Sequence, residues 1–456
     1  MSNQITMPPR PVPGPVPAWS FPSATSGLVP GGPATLRCDL PGRRLASVRL
    51  VLDAGAGRDT RGKEGLATLT ARALLEGTEA GGGTALTAAF ERLGASLYAS
   101  ADLTALRIAL DVPVTRLSPA LELLSTVVRE AALADADVAR LVRERLEEIA
   151  QEDADPGTRA MRELRAVIFP EGARAHRPTG GSPASVTAIT GEDVRAFYAS
   201  VDPAEAFAVA AGDLTGTPVD SALASALSGW TGSGPALPPA DRVMPVNGPR
   251  IVVVDRPGSV QTYLSIAHGV PDRSHGDWPL LSVASHVLGG GLNSRLNAVL
   301  REEKGYTYGV RTGLLRLRHC GLMITQGSVH TEVTGDAVAD ALHGLRSVVA
   351  DGIAEDECAS SVRALADRAP AEYETSRSVA AELADAAANG LGTDYPSRHL
   401  AAVRAATPET VARAYRRHVD PEALTVVAVG DAAQIREPLE KLGYAPVTVT
   451  ATEPAR

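Results

Sequence analysis

Residues Thr190–Leu214 read TGEDVRAFYASVDPAEAFAVAAGDL, and Thr407–Ala432 read TPETVARAYRRHVDPEALTVVAVGDA. Each begins with a threonine placed to cap a helix, runs through a helical stretch to Asp-Pro, and closes with an apolar strand on Gly-Asp. Asp202 and Asp420 are 218 residues apart, as are Gly212 and Gly430. Further out, each half carries an extended apolar run and then a long apolar helix: Val48–Ala54 with Gly65–Leu75, and Val260–Ala267 with Leu280–Leu288. A glycine triplet follows each helix, Gly81–Gly83 and Gly289–Gly291. Chance supplies one such match; the ordered set predicts a duplicated α/β unit of about 200 residues.

Helical periodicity dominates the rest. ALTAAFERLG, SPALELLSTVVREAAL, DADVARLVRERLEEIAQE, DAVADALHGLRSVVADG and ECASSVRALADRAPAEYE repeat apolar residues at i, i+3 and i+4. Strands such as TALRIALDVP, RIVVVDR and LTVVAVGD are short and rich in Val or Ile. The expected fold class is α+β: two homologous domains, each a mostly antiparallel sheet with helices packed on one face. The expected organisation is a Pro-rich arm over 1–33, a first domain over 34–228, a linker over 229–248, a second domain over 249–445 and a tail over 446–456. Proline at 8, 9, 11, 13, 15, 17, 22, 30 and 33 blocks helix and central strand in the arm. Gly289–Gly291 lies between two helical patterns, so it does not read as a phosphate-cradling loop after a strand.

Composition narrows the function. The chain has 456 residues and a net charge of −9, which argues against a nucleic-acid partner. No apolar run reaches the roughly 18 residues of a membrane helix. The N-terminal MSNQITMPPRPVPGPVPAW lacks the apolar core of a secretion signal. Three scattered cysteines, Cys38, Cys320 and Cys358, predict neither a disulfide framework nor a thiolate metal site. The expectation is a cytoplasmic protein, and the wealth of Ala, Arg, Gly and Pro suggests a bacterial one. None of the nine histidines (176, 268, 275, 286, 319, 330, 343, 399, 418) lies four residues from another, so no helix presents paired imidazoles to a metal.

Gly65–Thr78 reads GLATLTARALLEGT. It resembles the metal helix of the insulinase/pitrilysin-type zinc peptidases, which include the mitochondrial processing peptidases and follow G-L-A-H-x-x-E-H-x-L-x-x-G-T. The frame is kept as Gly65, Leu66, Ala67, Leu74, Gly77 and Thr78, while the chemical positions hold Thr68, Ala71 and Arg72. The family's third metal ligand is a later glutamate in a pattern like L-E-E-I. Here that pattern is Leu146-Glu147-Glu148-Ile149, with Glu148 falling 76 residues after Arg72. One carboxylate does not hold zinc and Arg72 would repel it, so Glu148 reads as a surface or salt-bridging residue with Arg72 as a candidate partner. In the same helix Leu141 stands where the family often has an extra carboxylate.

In the second half, Leu292, Leu296, Val299 and Leu300 form an apolar helical face, and Lys304-Gly305 supply a charge and a left-handed stop. Leu300-Arg301-Glu302-Glu303-Lys304-Gly305-Tyr306-Thr307-Tyr308 is similar to the family's L-R-E-x-x-G-x-x-Y signature. The resemblance implies that Arg301 anchors substrate backbone and that Tyr308 donates its phenol to the developing oxyanion. It also implies that Gly289, Gly290 and Gly291 let a peptide pass close to backbone. Read without it, Arg301 satisfies a helix C-terminus and Tyr308 opens a strand. Tyr306 competes, because i and i+2 on a strand share a face.

Taken together, the resemblance implies a non-catalytic subunit with no metal of its own. It would pair with a homologous chain bearing H-x-x-E-H and zinc, to cleave unfolded peptides or leader segments in a shared chamber. The alternative is an inert scaffold of the same fold, possibly homodimeric, as in core subunits of respiratory complexes. No G-x-S-x-G elbow offers another nucleophile.

Overall fold

The computed structural model describes residues 14 and 19–450. The first half contributes strands β1 (Thr25–Leu28), β2 (Ala34–Asp39), β3 (Leu45–Leu52), the small hairpin β4 (Gly77–Thr78) and β5 (Gly81–Gly82), β6 (Ser96–Ala101), β7 (Leu106–Pro113) and β8 (Phe207–Gly212). The second contributes β9 (Arg250–Asp255), β10 (Gln261–Val270), β11 (Arg311–Arg316), β12 (Gly321–His330), β13 (Thr425–Gly430) and β14 (Val447–Thr450).

Two six-stranded sheets result, ordered β6-β7-β3-β8-β2-β1 and β11-β12-β10-β13-β9-β14. Five strands correspond one for one. In each sheet the first four run antiparallel, and the fifth pairs in parallel with the fourth. The repeat extends to single bonds. Asp39 lies opposite Gly212, and its carboxylate accepts from the Leu214 amide at 2.9 Å. Asp255 lies opposite Gly430, and its carboxylate accepts from the Ala432 amide at 3.0 Å. Thr190 and Thr407 both cap their helices through reciprocal capping boxes.

The sixth strands differ. β1 pairs antiparallel with β2, and β14 pairs in parallel with β9. The stretch expected to be an arm therefore contains an edge strand, formed where no proline lies between Pro22 and Pro30. Trp19 stacks on Tyr373 at 5.9 Å, and Phe21 meets the same ring edge-on at 4.9 Å. Pro8, Pro9, Pro11, Pro13, Pro15 and Pro17 lie outside the described residues. Of the expected tail, Val447–Thr450 is strand because a β-branched run finds the open edge of β9; 451–456 lie outside the described residues.

Each half packs its own helices on one face of its sheet, and the opposite face is covered by a single helix from the other half. On β8, Ala208 and Ala210 face the first half's own core, whereas Val209 and Ala211 pack against Val379, Ala380, Leu383 and Ala384 of the helix Ser376–Ala388. On β13, Val426 and Ala428 face their own core, whereas Val427 and Val429 meet Ala160, Leu164 and Ile168 of the helix Pro156–Ile168. The two-residue period of a strand sends alternate side chains to these two layers. Among the described residues no helix is long and apolar enough to cross a membrane.

Candidate functional site

The helix Leu66–Ala73 carries the first set of candidate positions. It starts at Gly65, whose φ of 100° is left-handed, and a Cβ there would stand 2.8 Å from the Gly180 carbonyl. Asp59 completes the start: its carboxylate accepts from the Gly65 and Ala67 amides, both at 2.9 Å. Arg174 Nη2 donates to the same group at 2.9 Å, and both side chains are almost fully buried. The sequence reading missed Asp59 and Arg174, which lie 115 residues apart in the chain.

Thr68 and Arg72 stand one turn apart on this helix, Thr68 half-buried and Arg72 partly exposed, with Ala71 fully buried between them. Arg72 grips Glu148 with both arms, Nη1 to Oε1 and Nη2 to Oε2, each at 2.8 Å. Arg145 Nη1 adds a third bond to Glu148 Oε2 at 2.9 Å and also reaches Glu152. The Glu148 carboxyl lies below the usual glutamate range because Arg72 bonds its charged form, with Arg145 assisting and partial burial opposing. Zinc does not fit this donor set. The positions offer a hydroxyl, a methyl and a guanidinium, and both oxygens of the lone carboxylate are already taken by cations.

Arg301 and Tyr308 flank the second candidate loop. The helix expected from Leu292 begins at Arg295, leaving Leu292 64% exposed, and over Ala298–Glu303 it widens into a π-helical turn. The Lys304 amide bonds the Val299 carbonyl five residues back at 3.0 Å. Such turns occur frequently at functional sites. Gly305 stops the helix at φ 64°. Residues 305–310 then form a loop rather than a strand, so Tyr306 and Tyr308 do not share a face. Tyr306 packs against the second core, while Tyr308 is 89% exposed and makes no hydrogen bond among the described residues. Arg301 Nη1 lies 3.4 Å from Glu302 Oε1 and forms no hydrogen bond among the described residues.

The loop is held by residues outside the signature. Asn297, buried to 3%, accepts from the Val310 amide and donates to the Val310 carbonyl, both at 2.9 Å. Thr307 Oγ1 donates to the Ser328 carbonyl at 2.6 Å. The glycines serve packing. A Cβ on Gly289 would come within 2.5 Å of the Thr312 amide, and one on Gly290 within 2.5 Å of His286. A Cβ on Gly291 would meet ordinary contact at 3.8 Å, so only this third glycine leaves space for a passing chain.

Two family models match this chain: "Insulinase (Peptidase family M16)" over residues 38–177 and "Peptidase M16 inactive domain" over residues 188–365. Together they cover more than two thirds of the sequence. The chain belongs to the insulinase family, peptidase M16. A protein named as an uncharacterized zinc protease of Mycobacterium tuberculosis is 29% identical over 72% of this chain and 76% of its own length. One of the same kind from Streptomyces coelicolor is 25% identical over 73% and 74%. A crystal structure titled as a peptidase M16 inactive domain from Pseudomonas fluorescens superposes with a TM-score of 0.83 at 23% identity, covering 90% of this chain and 98% of that one. A chain of complex III2 from Candida albicans superposes with a TM-score of 0.76 at 15% identity, covering 92% and 99%. At these identities the superpositions establish the shared fold.

Within this M16 chain one other group brings metal-ligand types together among the described residues: His275, Asp277 and His418, with ligand atoms within 4.8 Å of one another. It lies apart from the degenerate helix. His418 Nε2 is bonded to Asp277 Oδ2 at 2.7 Å, His275 Nδ1 accepts from the Asp277 amide at 3.0 Å, and Arg417 approaches the same carboxylate at 3.7 Å. These bonds occupy the donor atoms and bring a competing cation. All three cysteines are free and buried.

Proposed function

We propose that this M16 chain is the non-zinc-binding subunit of a two-chain peptidase. It supplies one wall of the chamber, with Arg301 and Tyr308, to a homologous partner bearing H-x-x-E-H and zinc. The observation that carries the reading is the bidentate Arg72–Glu148 pair. A cation made of protein stands where the family's metal helix would need imidazoles, which stabilises the fold and removes hydrolysis from this chain. Tyr308 supports it from the other side: a phenol with no internal partner among the described residues, on a loop pinned by buried hydrogen bonds, is available to a substrate carbonyl delivered from outside the chain. The substrate is an unfolded peptide, bound partly by adding a strand to a sheet edge.

A second reading, an inert scaffold, draws on the fact that neither Arg301 nor Tyr308 lines the cavities of about 290 and 540 Å³. Purification of the tagged chain from its native cells, with identification of its companions, separates the two. A companion with H-x-x-E-H, and peptide cleavage only when both chains are mixed, supports the first. Chelator-sensitive cleavage by this chain alone sinks it. Elemental analysis of the isolated chain is expected to find no stoichiometric zinc.

A further inference from the structure

An oxyanion donor acts only when it is held where the charge develops. A misplacement of about 1 Å costs on the order of 10²-fold in rate. Tyr308 is 89% exposed, so its ring has little contact with the rest of the chain. Its place is therefore set by the backbone that carries it.

Two side chains hold that backbone, one on each side of Tyr308. Before it, Thr307 Oγ1 donates to the Ser328 carbonyl of β12 at 2.6 Å and accepts from the Gly309 amide at 3.0 Å. The second bond closes a tight turn with Tyr308 at its apex, and the first ties that turn to the sheet. After it, Asn297 Oδ1 accepts from the Val310 amide at 2.9 Å. An amide N–H can donate only to the oxygen, so this bond fixes which way the Asn297 side chain faces. Its Nδ2 then reaches the Val310 carbonyl and Ser294 Oγ, both at 2.9 Å, and the Gly291 carbonyl at 3.0 Å. Asn297 thereby joins the exit of the Tyr308 loop to the start of the helix at Ser294 and to the glycine loop. At 3% exposure it does so out of reach of competing water. Neither Asn297 nor Thr307 is a fixed position of the L-R-E-x-x-G-x-x-Y frame.

We infer that Asn297 and Thr307 are positioning residues, which hold the Tyr308 backbone, and with it the phenol, in place for the substrate carbonyl. The inference rests on the two-subunit reading. A role confined to the fold would change stability with no link to Tyr308, whereas a positioning role passes through Tyr308.

Kinetics of the two-chain mixture on a fluorogenic unfolded peptide, beside hydrogen exchange of the isolated chain, tests it. Thr307→Val keeps the shape and removes the hydroxyl. It is expected to lower kcat about tenfold with KM within about twofold of wild type, and Thr307→Ser is expected to restore kcat. Asn297→Asp keeps the acceptor for Val310 and loses the donors, so it is expected to lower kcat as well; it is also expected to melt earlier, because it sets a buried carboxylate against two carbonyls. Added to Tyr308→Phe, Thr307→Val is expected to lower kcat no further, since the group it positions is already gone. Over residues 305–310 the isolated Thr307→Val chain is expected to exchange about tenfold faster than wild type, a measurement that needs no partner. Unchanged exchange, a further fall of kcat in the double variant, or an equal loss in Thr307→Ser would overturn the inference. No cleavage by the wild-type mixture would sink the two-subunit reading itself; faster exchange in Thr307→Val would then mark Thr307 as a residue of the fold alone.

Discussion

At the scale of single residues, Arg72 on the degenerate metal helix and Glu148 form an ion pair. Arg72 and Glu148 are each roughly a third or more exposed, so solvent screening holds the pair to about 1 kcal/mol or less. Glu148→Gln is thus expected to cost little near pH 7. Because the Glu148 carboxyl is lowered in the folded state, its contribution is present above the ordinary glutamate value and is lost as the pH falls through the lowered one. Denaturation curves of wild type and variant are expected to differ slightly at neutral pH and to converge in acid. Tyr308 calls for the opposite experiment. In the two-chain peptidase proposed above, Tyr308→Phe is expected to lower kcat by about 10²-fold, the scale of losing one oxyanion donor, with assembly unchanged. Steady-state kinetics beside a sedimentation measurement of the complex checks both.

Elements show where stability concentrates. Asp59 joins the start of the Leu66–Ala73 helix to Arg174 through fully buried charges, so Asp59→Ala is expected to cost about 3–5 kcal/mol, read by urea denaturation. His399 lines the 290 Å³ cavity of the second half. Burial, with Arg273 and Arg316 adding repulsion, pushes its imidazole down from 6.5 to about 4. The folded state therefore disfavours a proton that the unfolded chain accepts. Stability is expected to fall by about 3 kcal/mol as the pH drops from 6.5 to 4, and to fall less in His399→Gln. Thermal melts across that window give the answer.

For the whole molecule, the reciprocal helices make the two halves one folding unit. Leu164 and Leu383 are each fully buried against the sheet of the opposite half. Truncating either to Ala is expected to cost about 2–5 kcal/mol. Severed within the exposed stretch 231–245, each fragment would bare one apolar sheet face. The separate pieces are expected to be unstable, whereas co-expressed pieces reassemble; size-exclusion chromatography and hydrogen exchange distinguish these outcomes.

The sequence alone carried the duplication, the α+β class, the capping threonines and the vacated metal positions, since local periodicity, turn chemistry and a fixed motif frame are written within short windows. It also carried the candidate Arg72–Glu148 partnership, through spacing in a known frame. FAVAAG and TVVAVG held a further signal, because strands apolar at every position are buried on both faces. The donors of that second cover could not be named, since Ser376–Ala388 and Pro156–Ile168 are distant in the chain and look like ordinary amphipathic helices. Only tertiary structure decided that Tyr306 is packed and Tyr308 exposed, and that Gly289 and Gly290 serve close approach. Each depends on which atoms from remote segments arrive within a few ångströms, and no local pattern encodes that.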